Sequence, residues 1–114
     1  MTTFDFGNGP VPAHKHPNGG GWVADTATVA ETAFVGPDAQ VFGNAWVYDN
    51  AKVTGNALVY GNAWVFDNAR VSRNARVYGN ARVSGYAWVT SNARVSGIAR
   101  VSGIALVYGD SGIS

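Results

Sequence analysis

Valine recurs at every sixth position through most of the chain, without an interruption. The series consists of Val23, Val29, Val35, Val41, Val47, Val53, Val59, Val65, Val71, Val77, Val83, Val89, Val95, Val101 and Val107. An uninterrupted short period is typical of a solenoid, in which each repeat buries its apolar side chains only against its neighbours. The pattern excludes most globular folds, because a chain of 114 residues has no room for a second core beside it.

Each repeat has the form Asn-Ala-x-Val-x-Gly, as in residues 80–85. Alanine placed two residues before valine predicts a short strand with both side chains on its inner face. The Gly-Asn or Asp-Asn pair that follows predicts a corner, because Gly and Asn adopt positive φ at low cost. Three hexads close a coil of 18 residues, so five coils fit between Gly21 and Asp110. We therefore predict an all-β protein, a parallel β-helix shaped as a triangular prism.

Composition divides the chain into an N-terminal Gly/Pro-rich arm at 1–20, the β-helix at 21–110 and a short tail at 111–114. The arm does not follow the hexad pattern. We expect it to cap the first coil, with Phe4 and Phe6 covering exposed Val and Ala, because the end of a solenoid is an unpaired edge that invites aggregation.

Apolar residues replace asparagine at three corners near the other end of the repeat, namely Tyr86, Ile98 and Ile104. Exposed apolar side chains in one region predict a covered surface. The cover is either the C-terminal tail or a neighbouring subunit.

The spacing small-x-aliphatic, repeated every six residues over about four fifths of the chain, resembles the bacterial transferase hexapeptide repeat. The resemblance implies a left-handed parallel β-helix, with a right-handed β-helix, whose coils are longer and less regular, as the alternative. It does not define a function, because the same coil serves acyltransferases, γ-type carbonic anhydrases, ice-binding proteins and proteins without known activity.

The resemblance implies a histidine general base and a protruding loop for acyltransfer, and histidines on the coils for γ-type carbonic anhydrase. This chain has no insertion among its hexads, and its only histidines, His14 and His16, lie in the arm. Residues two apart in an extended segment share a side, but two histidines are weak support for a metal site. We predict no catalytic residue, no cofactor and no metal ligand, with acyltransferase as the least favoured alternative.

Outward side chains sort onto three faces when the sequence is folded by 18. The second face carries Trp46, Tyr48, Trp64 and Phe66 in adjacent coils, a set that we call the aromatic plate. Contiguous exposed aromatic side chains usually mark a protein contact, and the family resemblance implies a parallel trimer. We predict a homotrimer buried through this plate and through Phe42 and Tyr60 of the first face. The alternative is a monomer in which the aromatic rings pair across coils.

Charge is divided along the axis. Residues 1–69 hold two lysines and six carboxylates, whereas residues 70–109 hold six arginines and no carboxylate. The planar guanidinium fork suits phosphate or carboxylate recognition. The predicted anion-binding residues are Arg70, Arg76, Tyr78, Arg82, Arg94 and Arg100. The alternative is that the arginines are solvated residues propagated by repeat duplication; nucleic acid is disfavoured, because the arginines surround the prism rather than forming one stripe.

The chain has no cysteine, which excludes disulfides and thiolate metal sites, and no apolar segment long enough to predict a membrane partner. The absence of a signal-peptide pattern favours the cytoplasm, and a virion component is an open alternative. We expect a non-catalytic trimeric scaffold or interaction protein, with self or another protein as partner. The alternative is a binder of an anionic, nucleotide-like small molecule at arginine-rich clefts between subunits.

Overall fold

A computed structural model describes residues 2–114 and shows a β-solenoid of five stacked coils. Each hexad supplies one short strand that ends at or next to its valine, and strands 18 residues apart pair in parallel, as Val53 does with Val71. The described residues include no helix that is long and apolar enough to cross a membrane. The predicted all-β, five-coil, parallel architecture is confirmed, and the hand of the coil stays a prediction.

Three sheets form the faces of the solenoid. The first face, in spatial order, contains β1 (Thr3–Asp5), β2 (Pro10–Lys15), β3 (Trp22–Ala24), β6 (Gln40–Val41), β9 (Leu58–Val59), β12 (Arg76–Val77), β15 (Arg94–Val95) and β18 (Gly112–Ile113). The second contains β4 (Thr28–Val29), β7 (Trp46–Val47), β10 (Trp64–Val65), β13 (Arg82–Val83) and β16 (Arg100–Val101). The third contains β5 (Phe34–Val35), β8 (Lys52–Val53), β11 (Arg70–Val71), β14 (Trp88–Val89) and β17 (Leu106–Val107).

The core is a column of valine and alanine inside the three sheets. Every valine of the series from Val35 to Val95 is fully buried, as is every alanine two positions before it. Alternation along each strand turns these side chains inward and their neighbours outward. Because each coil repeats the last, every valine stacks on a valine and the core leaves no room for larger side chains.

Corners from Gly43 to Gly109 each place one residue at positive φ, and this residue is the one before the asparagine position. Glycine fills most of these corners, since it adopts that conformation without a steric cost. Asp49 and Asp67 adopt positive φ without being glycine, and the carboxylate of each accepts a hydrogen bond from the next coil. The carboxylate of Asp49 accepts the N–H of Asp67 at 3.2 Å, and that of Asp67 accepts the N–H of Gly85 at 3.0 Å.

Substituting Gly79 by alanine tests how tightly the corners stack. A Cβ at Gly79 would lie 2.8 Å from the nitrogen of Gly97, whereas a Cβ at Gly103 meets nothing within 4 Å, although both φ angles are similar. We expect Gly103→Ala to cost about 1 kcal/mol for the left-handed conformation alone. Gly79→Ala should cost about 1 kcal/mol more, because the neighbouring corner must shift. Urea denaturation of both variants checks this, and equal losses would show that the stacking of corners is loose.

The N-terminal arm is a hairpin that extends the first face. Its strands β1 and β2 pair antiparallel, and β2 pairs antiparallel with β3 of the first coil. Phe4 stacks on Trp22 at 4.8 Å and Phe6 on Phe42 at 4.9 Å. The prediction that these two phenylalanines cover core Val and Ala is therefore wrong, because the hairpin places them in line with the outward aromatic side chains of the face.

His16, rather than a phenylalanine, closes the first coil. Its side chain is buried, and its Nε2 lies 2.8 Å from the carbonyl oxygen of Ala33, which also accepts a bond from the Asn18 amide at 3.1 Å. The backbone of Val35 is paired by Asn18 and Gly21. The segment thus satisfies backbone polar groups of Ala33 and Val35 that a first coil would otherwise leave unpaired.

The C-terminal tail does not cover the apolar corners. It forms β18, which pairs with β15 on the first face. Ile98 and Ile104 stay 81% and 88% exposed. Two covers were predicted for these corners, the C-terminal tail and a neighbouring subunit. The prediction of the tail is wrong, because the tail continues the strand pattern instead of folding back over the corners.

Candidate functional site

The aromatic plate is built by two adjacent strands of the second face. In register, Trp46 pairs with Trp64, and their rings lie 5.8 Å apart. Tyr48 stacks on Phe66 at 4.9 Å with an interplanar angle of 2°. Trp46 is nonetheless 45% exposed. The plate is therefore internally ordered and still presents a broad apolar surface to solvent.

A second aromatic column runs along the first face. Phe42 stacks on Tyr60 at 4.8 Å, and Tyr60 stacks on Tyr78 at 5.0 Å, both nearly parallel. Parallel pairing at an 18-residue spacing fixes these rings one coil apart, and offset stacking adds to the stability of each strand pair. The cross-coil aromatic pairs expected for the monomer alternative do form within one chain, on this face and in the aromatic plate.

The pKa of Tyr48 is affected by its partial burial and by two corner carboxylates, those of Asp49 and Asp67. Partial burial raises the pKa of its phenol, Asp49 and Asp67 raise it further, and Arg82 opposes them. Because the pKa of Tyr48 is higher in the folded state, the contribution of Tyr48 to stability is fully present below the pKa of an unfolded tyrosine, about 10. This contribution is lost as the pH rises through the higher pKa of the folded state.

We expect Tyr48→Phe to weaken the loss of stability in alkali. The free energy of unfolding of the native chain should fall from about pH 9 to about pH 11, and that of the variant should fall less, since phenylalanine has no proton to lose. Urea denaturation at both pH values measures the difference. Parallel declines of the two proteins would contradict the assignment to Tyr48.

The predicted anion-binding arginines divide into two pairs and one separate residue. Arg76 pairs in register with Arg94 on the first face, and Arg82 with Arg100 on the second. Arg70 lies apart on the third face, with its guanidinium carbon 5.8 Å from the centre of the Trp88 ring. Tyr78, the remaining predicted residue, lies at the end of the first-face column.

No arginine in the described range 2–114 lies within salt-bridge distance of a carboxylate, and the basic side chain found at that distance is His14, next to Asp25. Arg82 instead lies over the ring of Trp64, with its guanidinium carbon 4.5 Å from the ring centre. Like charges directly opposite each other in a sheet destabilise it. The two arginine pairs therefore place like charges next to each other on adjacent coils.

The histidines do not share a side. His14 is exposed, with Nδ1 2.7 Å from Oδ1 of Asp25, whereas His16 is buried against Ala33. A carboxylate on Nδ1 holds the imidazole orientation and leaves Nε2 free. Sequence reasoning missed this pair because it depends on antiparallel pairing of the arm with β3, which no periodic signal indicates. Within residues 2–114, no three His, Cys, Asp or Glu side chains converge as a metal site.

A cavity of about 280 Å³ lies between the arm and the first two coils. Its apolar walls include Phe6, Val11, Pro12 and Phe42, and Asp25 lines one part of it. The cavity also escaped sequence reasoning, because it depends on where the hairpin folds.

The third face carries one exposed tryptophan that is anchored by polar contacts. The indole nitrogen of Trp88 donates to the Ser72 hydroxyl at 2.9 Å, and that hydroxyl donates to Thr90 at 2.9 Å. Trp88 is 43% exposed, almost as much as Trp46. Trp88 is therefore a suitable control residue for substitutions of Trp46 in the aromatic plate.

These features define a β-solenoid repeat protein with aromatic and basic outer faces. A family model described as the YdcK beta solenoid repeat matches residues 75–90, within the fourth coil. The match supports the classification as a β-solenoid repeat protein, and membership of the bacterial transferase hexapeptide family stays a prediction. A search of curated proteins finds no match to this chain.

Proposed function

We propose that this protein is a non-catalytic scaffold that self-associates as a homotrimer through its first and second faces. The observation that carries the proposal is the aromatic plate, in which Trp46 stays 45% exposed although its neighbours stack around it. Large ordered aromatic side chains at the centre of a flat surface are the usual anchors of protein interfaces, because they bury much area at little entropic cost.

The charge pattern supports the same faces. In the second and third coils, the outward strand positions of the second face are all aromatic, so the centre of the contact is apolar and Arg82, which lies over Trp64, is the nearest charge on that face. Lys52 lies on the third face and the corner carboxylates Asp49 and Asp67 lie at the rim. An apolar centre with a polar rim is the typical anatomy of an interface.

The histidine contacts favour a role without catalysis. His16 is occupied by its bond to Ala33, and His14 on the arm is exposed and bonded to Asp25 of the first coil. A general base must reach the proton that it removes inside a site that positions the substrate. Neither histidine faces the arginine pairs or the aromatic plate.

Sedimentation equilibrium tests the trimer. We expect a mass of three times 11.9 kDa. The mass should persist from about 0.05 M to about 0.5 M salt, because an apolar contact is little affected by ionic screening. A mass of 11.9 kDa at every concentration would overturn the proposal.

A second candidate function, binding of an anionic ligand, is favoured by the two arginine pairs. The pairs Arg76–Arg94 and Arg82–Arg100 place like charges opposite each other with no carboxylate in residues 70–109. A bound anion would relieve the repulsion and stabilise the folded state in proportion to its affinity.

Thermal unfolding in pyrophosphate tests this second candidate. At constant ionic strength, we expect Tm to rise by about 4 °C or more over chloride. The rise should be clearly smaller in the double variant Arg82→Gln, Arg100→Gln, which keeps only the Arg76–Arg94 pair, and persist in full in Arg73→Gln, which removes one charge at a corner. Equal rises in all three proteins would indicate a general salt effect and contradict the site.

A further inference from the structure

The aromatic columns end abruptly in serine. On the second face the column runs from Tyr48 to Phe66, and the next positions, one and two coils further, are Ser84 and Ser102. The same change occurs on the first face, where Ser96 follows Tyr78. Each column therefore ends in a step, at which a large ring is followed by a small side chain.

Register places Ser84 directly beyond Phe66. The strands β10 and β13 pair with Trp64 opposite Arg82 and Val65 opposite Val83, so the next residue of each strand also lies one coil apart. Serine is too short to cover the phenyl ring, and Tyr48 covers only its other side. A planar ring placed beside Ser84 would continue the stack at the spacing of about 4.9 Å that the column already has.

Two cations border the step. Arg82 begins β13 and Ser84 directly follows this strand, a separation of two residues that corresponds to about 6.5 Å in extended backbone. Arg100 occupies the same position one coil further along. Arg82 is held over Trp64 at 4.5 Å, so its charge is fixed beside the step before any ligand arrives. On the first face Arg76 and Arg94 make no such contact with a ring, and the second-face step is therefore the better organised of the two.

We propose that the step formed by Phe66, Ser84, Arg82 and Arg100 binds a planar aromatic ring with a directly attached carboxylate or sulfonate. The ring stacks on Phe66, and the acid group lies between the two guanidinium groups. The inference rests on the anion-binding function proposed above and names its ligand class. One chain supplies every group, and the site needs the Phe66 edge of the second face to be free, so ligand binding and burial of Phe66 in the trimer contact exclude each other.

Titration of the ¹⁵N-labelled full chain with 2-naphthoate tests the proposal by amide chemical shifts. We expect saturable shifts at residues 83–85, with Kd on the order of 1 mM for a ligand of this size. Cyclohexanecarboxylate, which keeps the charge without the planar ring, and neutral 2-naphthamide should each bind about 10-fold more weakly. Equal binding of cyclohexanecarboxylate would overturn the ring site while leaving the anion-binding function intact.

Filling the step provides the sharpest variant. Ser84→Phe should abolish the shifts, because its own ring takes the place of the ligand, and the matched variant Ser96→Phe on the first face should leave them unchanged. Arg100→Gln should weaken binding about 10-fold without changing the core, so the site can be judged even if Ser84→Phe folds poorly. Unchanged binding in Ser84→Phe, or shifts centred away from residues 83–85, would overturn the proposal. If naphthoate fails and pyrophosphate still raises Tm, only this inference is lost.

Discussion

Replacing Val53 by aspartate is expected to remove a large part of the folding stability. Val53 is fully buried and lies between Val35 and Val71 in the valine column. A carboxylate there has no partner, and an unpaired buried charge costs about 4 kcal/mol or more. Small domains have only about 5 to 15 kcal/mol of stability, so the loss removes much of it. Far-UV circular dichroism in urea at neutral pH measures the change.

Lys52→Asp is the matched control, since it introduces the same carboxylate one residue earlier on the outer side of β8. Lys52 is exposed and lies opposite Arg70 in register. We expect a change within about 0.5 kcal/mol, because exposed substitutions rarely have larger effects. Comparable losses at positions 52 and 53 would contradict the inward and outward assignment on which the faces depend.

Trp46→Lys is expected to convert the trimer to monomers. Trp46 is the most exposed ring of the plate, and lysine there would place three charges in an apolar contact. Removing a tryptophan anchor typically costs an interface 2 kcal/mol or more, about 30-fold in affinity for each contact that it makes. Light scattering after size exclusion should give one third of the native mass, with an unchanged circular dichroism spectrum.

Trp88→Lys makes the same substitution on the third face, at 43% exposure instead of 45%. It should keep the trimer, although the loss of the bond to Ser72 should lower Tm slightly. If Trp88→Lys dissociates the protein and Trp46→Lys does not, the contact lies on the third face and the proposed interface is wrong.

The hexad made the solenoid and its faces predictable. On a strand, the alternation of Ala, a variable residue and Val places Ala and Val on the inner side and the variable residue on the outer side. The 18-residue period then fixes which outward residues become neighbours. Trp46 beside Trp64 and Arg82 beside Arg100 both follow from counting. The geometry of the rings does not follow, because stacking depends on side-chain torsions that a periodic pattern leaves open.

The arm and the ends were not predictable in the same way. Antiparallel pairing of β2 with β3 brings His14 to Asp25 and His16 under the first coil, and no repeat signals either contact. Prolines and glycines indicate where the hexads stop, but a hairpin's register depends on its turn. The arginines proposed to bind an anion are an intermediate case, since counting by 18 predicts the pairs Arg76–Arg94 and Arg82–Arg100 but not the contact of Arg82 with Trp64.

Pulsed dipolar spectroscopy on a single spin label tests the parallel homotrimer most directly. The chain has no cysteine, so Lys52→Cys on the third face provides one unique labelling site away from the proposed contact. Three parallel chains predict one narrow distance population with the modulation depth of three coupled spins. A signal without dipolar modulation, or one with the depth of two spins, would contradict the trimer and with it the proposed scaffold function.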